Sequence, residues 1–440
     1  METLNLLQSG QLVGSQRLDL AAGLTHFPAE IFKLADSLEI LNLSHNQLNA
    51  LPDEFACLQQ LKILFLSHNN FATLPAVLSQ CPKLSMVGFK ANRIKTVGED
   101  ALPPSVRWLI LTDNQIDHLP ASIGHLVHLQ KLMLAGNRLR SLPDTLANCH
   151  NLELIRLAAN QLPSLPTWLF TLPRLSWLAY SGNPFCSPTT QQTQLPDIDW
   201  AALAIAETLG EGASGVIYKG IWQTQTGATD VAVKLFKGEV TSDGLPADEM
   251  AAYIAAESHP NLVSVLGRLC NHPAGKAGLV FAFIPPSYQN LGQPPNFETC
   301  TRDTYPPDTQ FSVPVILQIT QGIAAVVAHL HSKGIMHGDL YAHNILVNET
   351  GDSLLGDFGA ACFYDRTDQF LAAGLEPLEV RAFGCLLEDL LDRCKTVNSM
   401  EQTICDRLRQ LQQNCLLPTP AMRPPFTQIC KILAQLSQHS

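Results

Sequence analysis

The sequence predicts a chain in two parts, an α/β solenoid of short stacked turns followed by a separate α+β domain. An asparagine returns at Asn46, Asn69, Asn92, Asn114, Asn137, Asn160 and Asn183, in steps of 22 or 23 residues, and the pattern then stops. The second half instead holds one dense polar stretch, H-G-D-L-Y-A-H-N-I-L-V from His337 and D-F-G from Asp357. At 440 residues the chain also exceeds what a single core usually serves. The expected division is residues 1–186 for the solenoid, 187–198 for a linker and 199–440 for the second domain.

Each repeat reads L-x-x-L-x-L-x-x-N-x-L and is usually closed by Leu-Pro, as in Leu38, Leu41, Leu43, Asn46, Leu48 and then Leu51-Pro52. One such turn cannot bury its leucines alone, so turns stack and share a continuous core. The asparagine can satisfy backbone groups at a buried bend, and Leu-Pro starts the return path. On these residues the first half resembles the leucine-rich repeat family, over roughly residues 15–186. Side chains alternate along a strand, so Ile40, Phe65, Trp108, Ile110 and Met133 should line the outward, concave face. An apolar stripe there points to a protein partner, substrate or regulator, centred on Phe65, Trp108, Ile110 and Met133. His45 and His68 occupy equal positions in successive turns, as two surface residues rather than a metal site.

Charge and cysteine usage narrow the classes. The formal net charge is −11, of which −10 falls on residues 199–440, which disfavours nucleic acid as a partner. The 12 cysteines are scattered without a C-x-x-C pair, so neither a zinc site nor a disulfide framework is expected. The N-terminus lacks the signature of a signal peptide, and no run of 18 apolar residues occurs. A cytoplasmic protein without a membrane span is the expectation.

Residues 184–197 are rich in Pro, Thr and Gln, as a linker would be. Beyond them, Leu209, Gly210, Glu211, Gly212, Ala213, Ser214, Gly215 and Val216 form L-G-E-G-A-S-G-V. Glycines in a hairpin let backbone N–H groups approach phosphates without a Cβ in the way. V-A-V-K follows at Val231–Lys234, and strand alternation puts Ala232 and Lys234 on one side. Within 19 residues the polar stretch then places Asp339, Asn344 and Asp357. Two acids and an amide at that spacing suit phosphoryl transfer, with Asp339 taking the proton of an attacking hydroxyl and Asn344 and Asp357 holding Mg²⁺ against ATP.

With these motifs the second half resembles the eukaryotic-type protein kinases, which implies a two-lobed domain that uses ATP and Mg²⁺. The resemblance implies that Lys234 reaches the α/β-phosphates and pairs with an acid on the next helix. Glu249 is the first choice there, with Asp248 and Glu257 as alternatives. It further implies Phe281 at the back of the nucleotide pocket, backbone groups of Ala282 to Ile284 toward adenine, and Leu346 beneath it. Residues 285–307 read as an irregular insertion at the pocket's mouth. The expected activity is transfer of the γ-phosphate to a protein hydroxyl, Ser/Thr ahead of Tyr.

The match departs at four places. Gly338 stands where most members have Arg, and Tyr341 and His343 stand where basic residues distinguish hydroxyl types. The segment after Gly359 is short, and no A-P-E precedes E-V-R-A-F-G at Glu379, which leaves Arg423 without its usual partner, Glu376 being a candidate. Small-molecule phosphotransferases of the aminoglycoside and choline kinase type share H-G-D-x-x-x-x-N but as a rule lack the glycine motif and D-F-G. An inactive pseudokinase scaffold is the third reading, opposed by the presence of Lys234, Asp339, Asn344 and Asp357.

Overall fold

Each repeat begins with a three-residue strand whose central residue is buried. In the computed structural model, which describes residues 2–186, 195–212, 214–224, 227–238, 240–396 and 398–438, the chain forms two units. The first opens with a short helix, α1 (Glu2–Gln8). Seven repeat strands follow, β1 (Arg17–Asp19), β2 (Ile40–Asn42), β3 (Ile63–Phe65), β4 (Met86–Gly88), β5 (Trp108–Ile110), β6 (Lys131–Met133) and β7 (Leu154–Arg156). They pair in parallel, each with the next, without a register shift. After most strands, Leu-Pro opens a 3-10 turn, the prolines lying at φ between −74° and −64°, where the pyrrolidine ring holds them anyway.

The asparagines act as a ladder. Asn114 Oδ1 accepts from Ile94 N at 3.0 Å, while Nδ2 donates to the carbonyls of Phe89 (2.9 Å) and Leu111 (3.0 Å). Asn46, Asn69, Asn92 and Asn160 make equivalent bonds, joining each turn to the one before it. The residue before the asparagine is left-handed in His45, His68, Ala91, Asp113, Ala159 and Gly136. His45 and His68, held in that conformation, stack with centroids 4.4 Å apart.

The outward strand positions divide into two kinds. Phe65, Trp108 and Ile110 are half-buried, with Lys131 Nζ 4.2 Å over the Trp108 ring. Met133, expected on the exposed stripe, is only 6% exposed. It stands in register between Ile110 and Arg156, whose side chains share its face and crowd it.

The second unit takes up Ser176–Gly182, with strand β8 (Trp177–Ala179), and then Cys186–Ser440. Residues 187–194 of the expected linker lie outside the described residues. Its end is not a linker, because β9 (Asp197–Asp199) pairs in parallel with the strand Val265–Cys270. Ile198 from that strand joins the lobe's apolar core, which is why the segment is drawn into the sheet. The small lobe is a six-stranded sheet in the order β10-β11-β12-β14-β13-β9. Its other strands are β10 (Leu203–Glu211), β11 (Gly215–Thr224), β12 (Gly227–Phe236), β13 (Val265–Cys270) and β14 (Gly278–Ala282). Val231, Val233, Leu235 and Val280 fill its core, and α2 (Pro246–Ala256) is tied to β12 by Glu249 on Lys234.

The large lobe is helical, with α3 (Val313–Ser332), α4 (Gln369–Leu391), α5 (Ser399–Cys415) and α6 (Phe426–Ser437). By length and hydropathy α3 would pass for a membrane span, yet 61% of its apolar window is buried within the fold, where it packs on α6. The insertion at 285–307 is anchored rather than loose. Gln289–Asn290 pairs with the strand Ile345–Val347, and Arg302 bonds Glu388 and Asp389, each at 2.6 Å.

Candidate active site

β12 and α2 bring the first ion pair together. Lys234 Nζ donates to Glu249 Oε1, and both side chains are buried, at 8% and 1% exposure. Burial pushes the Glu249 carboxyl up, Lys234 pulls the other way, and the charge of Asp357 adds to the upward bias. Of the two alternatives, Glu257 binds Lys333 at 2.7 Å, while Asp248, near Ser181, keeps Oδ2 buried without a hydrogen-bond partner among the described residues, and burial raises its carboxyl.

The glycine loop joins β10 to β11, closed by Gly212 N to the Gly215 carbonyl at 2.9 Å. A Cβ on Gly215 would fall 2.5 Å from the Leu235 carbonyl, so the strand pairing itself demands glycine there. Gly210 and Gly212 face open space, the condition for backbone N–H groups to approach a ligand. Leu209 and Glu211 are exposed, Ser214 and Val216 half-buried, and Ala213 lies outside the described residues. Glu211 and the Gly212 carbonyl are both held by Lys237 Nζ.

At the back of the cleft Ala232 is opposite Phe281 in the β12–β14 ladder, and Lys234 is opposite Leu279. Phe281 is buried and meets Tyr253 edge to face at 5.1 Å. Ala282 does not have its amide to offer, since that N–H donates to the Ser264 carbonyl at 2.9 Å as the sheet ends. Ile284 and Leu346 are half-buried, Leu346 being two residues beyond Asn344 on the strand Ile345–Val347.

The catalytic-loop residues are tied to one another. Asn344 Nδ2 donates to Asp339 Oδ2 at 2.8 Å and to the Asp339 carbonyl at 3.0 Å. With its amide nitrogen committed, Asn344 presents Oδ1 as an acceptor. Asp357 is exposed, sits at φ +53°, and receives Gly359 N at Oδ1. The Asn344 carbonyl oxygen takes Gly356 N at 3.0 Å, which keeps the two chain segments side by side. Carboxylate and amide oxygens are the donors a hard divalent cation takes.

Two supports were not singled out from the sequence. Glu379, fully buried, accepts His337 N at 3.2 Å and Gly338 N at 2.8 Å. Burial raises its carboxyl, but His331, His337 and the Gly338 amide together outweigh that and hold it below the ordinary range. Tyr253 is the other, its hydroxyl accepting Asp357 N at 2.9 Å while its ring meets Phe358 at 4.5 Å. Tyr253 follows Glu249 by four residues on one helix face, a signal that could have been read.

Residues 203–381 match a family model described as protein tyrosine and serine/threonine kinase, and residues 16–71 and 127–185 match one for leucine rich repeats. The chain joins leucine-rich repeats to a protein kinase domain. It is 26% identical over 265 residues to a "Probable serine/threonine-protein kinase" of Dictyostelium discoideum, covering 50% of this chain and 18% of that protein. It is 25% identical to "Probable serine/threonine-protein kinase kinY" of the same organism over 53% of this chain and 48% of the relative. With "Serine/threonine-protein kinase PITSLRE" of Drosophila melanogaster the identity is 22%, over 52% and 25%. The chain therefore spans less than half the length of each of these relatives.

The kinase domain's departures have physical settings. Tyr341 is buried, and His343 binds Asp303 of the insertion at 2.7 Å. Only nine residues, 360–368, separate Gly359 from α4. Arg423 donates to the carbonyls of Leu417 and Pro377, and Glu376 accepts Phe426 N.

Proposed function

We propose that the kinase domain binds ATP with Mg²⁺ and transfers the γ-phosphate to serine or threonine hydroxyls of a protein substrate. The observation that carries this is the joint placement of the buried Lys234–Glu249 pair and the Asn344–Asp339 bond within one two-lobed domain. Asp339 takes the proton as the acceptor hydroxyl attacks, and the bond from Asn344 fixes which carboxylate oxygen faces the acceptor. Glu249 holds Lys234 extended toward the α/β-phosphates, beneath the glycine loop. Asn344 and Asp357 are the residues that would hold Mg²⁺, which would neutralise charge developing on the phosphate oxygens. The cytoplasmic placement belongs to this proposal, and the scattered cysteines support it.

The repeats are proposed to bind a protein on the outward face at Phe65, Trp108 and Ile110. Trp108 Nε1 is a buried donor with no acceptor among the described residues, which a partner could supply.

Labelled ATP offered with protein acceptors and with small alcohols tests the enzymatic reading. Asp339→Asn should keep nucleotide affinity and lose about 10²–10⁴ in turnover. Transfer to alcohols alone would favour the small-molecule class. Undiminished transfer by Asp339→Asn would remove the base assignment.

A further inference from the structure

Ser176–Gly182 continues the repeat in sequence, yet these residues group with the kinase unit, and Ser176 to Ser181 are all buried. Trp177 lies flat on Tyr341, centroids 4.3 Å apart at 8°, and its Nε1–H donates to the Leu340 carbonyl at 3.1 Å. Leu340 and Tyr341 are the two residues that follow Asp339. The same segment reaches the chain beyond Gly359. The Tyr180 amide donates to Cys362 Sγ at 3.0 Å and its hydroxyl to the Phe363 carbonyl at 3.2 Å. Arg381 of α4 donates to Ser176 Oγ at 2.8 Å.

Gly338 shows how closely the segment is seated. A Cβ there would lie 2.5 Å from the Leu178 carbonyl and 2.6 Å from that of Ala360, and φ is +74°. No L side chain fits that gap without moving backbone, so glycine is what admits the segment beside the catalytic loop. The substitution that deprives this loop of an arginine thus has a steric reason. Trp177 is also not required by the repeat pattern. It occupies the position of Ile40 in the first copy, an outward one, and Tyr180 takes the place of Leu43.

We propose that residues 176–182 stand in for the short chain segment after Gly359 and hold the catalytic loop in working register, with Trp177 as a positioning residue acting through Leu340 and Tyr341. The proposal rests on the kinase reading above. The nine residues before α4 are too few to form a long segment that folds back over the loop, and a strand from elsewhere in the chain covers that surface. Such a covalently supplied strand needs no phosphate to dock it. Its ordering energy comes from a stacked, hydrogen-bonded indole whose partner atoms would otherwise be exposed.

Full-length wild type, Trp177→Phe, Trp177→Leu and Tyr180→Phe separate this from a purely structural role. Hydrogen exchange should quicken by about tenfold or more at residues 339–345 in Trp177→Leu and stay unchanged in β12. Its kcat should fall by about tenfold or more, because a loop shifted by an ångström misplaces the base, while KM for ATP stays within about twofold. Trp177→Phe keeps the stacking and should recover most of the rate. Should the leucine variant not fold, Tyr180→Phe must still show faster exchange at residues 362–364. Unchanged exchange in both regions, or exchange raised evenly across the chain, overturns the proposal. If wild type transfers phosphate to no acceptor, the kinase reading falls, and exchange alone still decides whether the segment clamps the loop.

Discussion

His343 carries a titratable charge inside the catalytic loop, and its partners decide that charge. Burial works against protonation, but the hydrogen bond and charge of Asp303, with Asp339 and Asp357 adding theirs, raise its pKa above the ordinary histidine value. Its ring also leans on Tyr341, 5.0 Å away. A histidine whose folded pKa is raised contributes stability that is fully present below its unfolded value of about 6.5 and is lost as pH rises through the folded value. Wild type should therefore lose stability on titration upward from about pH 6.5. Asp303→Asn should lower the His343 pKa and remove that component. Proton NMR of the ring and melting temperature against pH check both. An unmoved His343 titration in Asp303→Asn would reject the pairing as its cause. The sequence announced His343 as unusual but not Asp303, since 40 residues separate the two and only the anchored insertion brings them together.

Among the elements, the repeat turn depends on its asparagine as well as on its leucines. Asn114 serves one buried N–H and several carbonyls, and Asn114→Ala orphans Ile94 N, while the carbonyls of Phe89 and Leu111 keep their bonds from Asn92 and Asn137. An unsatisfied buried group costs about 1–3 kcal/mol, and the loss should fall in that range. Urea unfolding of Asn114→Ala should show a lowered midpoint in the repeat signal. A surface change such as Arg138→Ala, at an exposed site in the following turn, should stay within about 0.5 kcal/mol. A midpoint unchanged in Asn114→Ala would mean water or a shifted backbone satisfies the Ile94 N–H. The asparagine period was legible because it is a one-letter signal at fixed spacing. The left-handed residue before it was not, because His, Ala and Asp take that place as well as Gly. The ladder's bonds stabilise a backbone conformation that the residues' own preferences would not select.

For the whole molecule, the two units make separable demands. The outward stripe at Phe65, Trp108 and Ile110 belongs to the repeats, while Asp339 and Lys234 belong to the kinase unit. Phe65→Ala with Trp108→Ala should cost partner binding about 30-fold or more, since aromatic anchors are typically worth about 2 kcal/mol or more each. Phosphotransfer to a generic acceptor should persist. The stripe is narrower than the pattern suggests, because Met133 is already buried by its neighbours and offers nothing to a partner. If the double variant binds its partner as wild type does, the recognition surface lies elsewhere.

By itself the sequence determined the repeat phase and the kinase motifs in which Lys234, Asp339, Asn344 and Asp357 stand, because each rests on residue type at short, fixed spacing. It also ranked Glu249 first among three acids, and the fold sets that carboxylate on Lys234 while Glu257 binds Lys333. Only the tertiary structure decided that Asp197–Asp199 is a strand, that the Ala282 amide is spoken for, and that Trp177 packs on Tyr341 from 164 residues away. Those outcomes depend on which buried surfaces and orphaned hydrogen-bond groups meet across long loops. Period and motif carry no record of that, and the competition among contacts is settled only when the whole chain is packed.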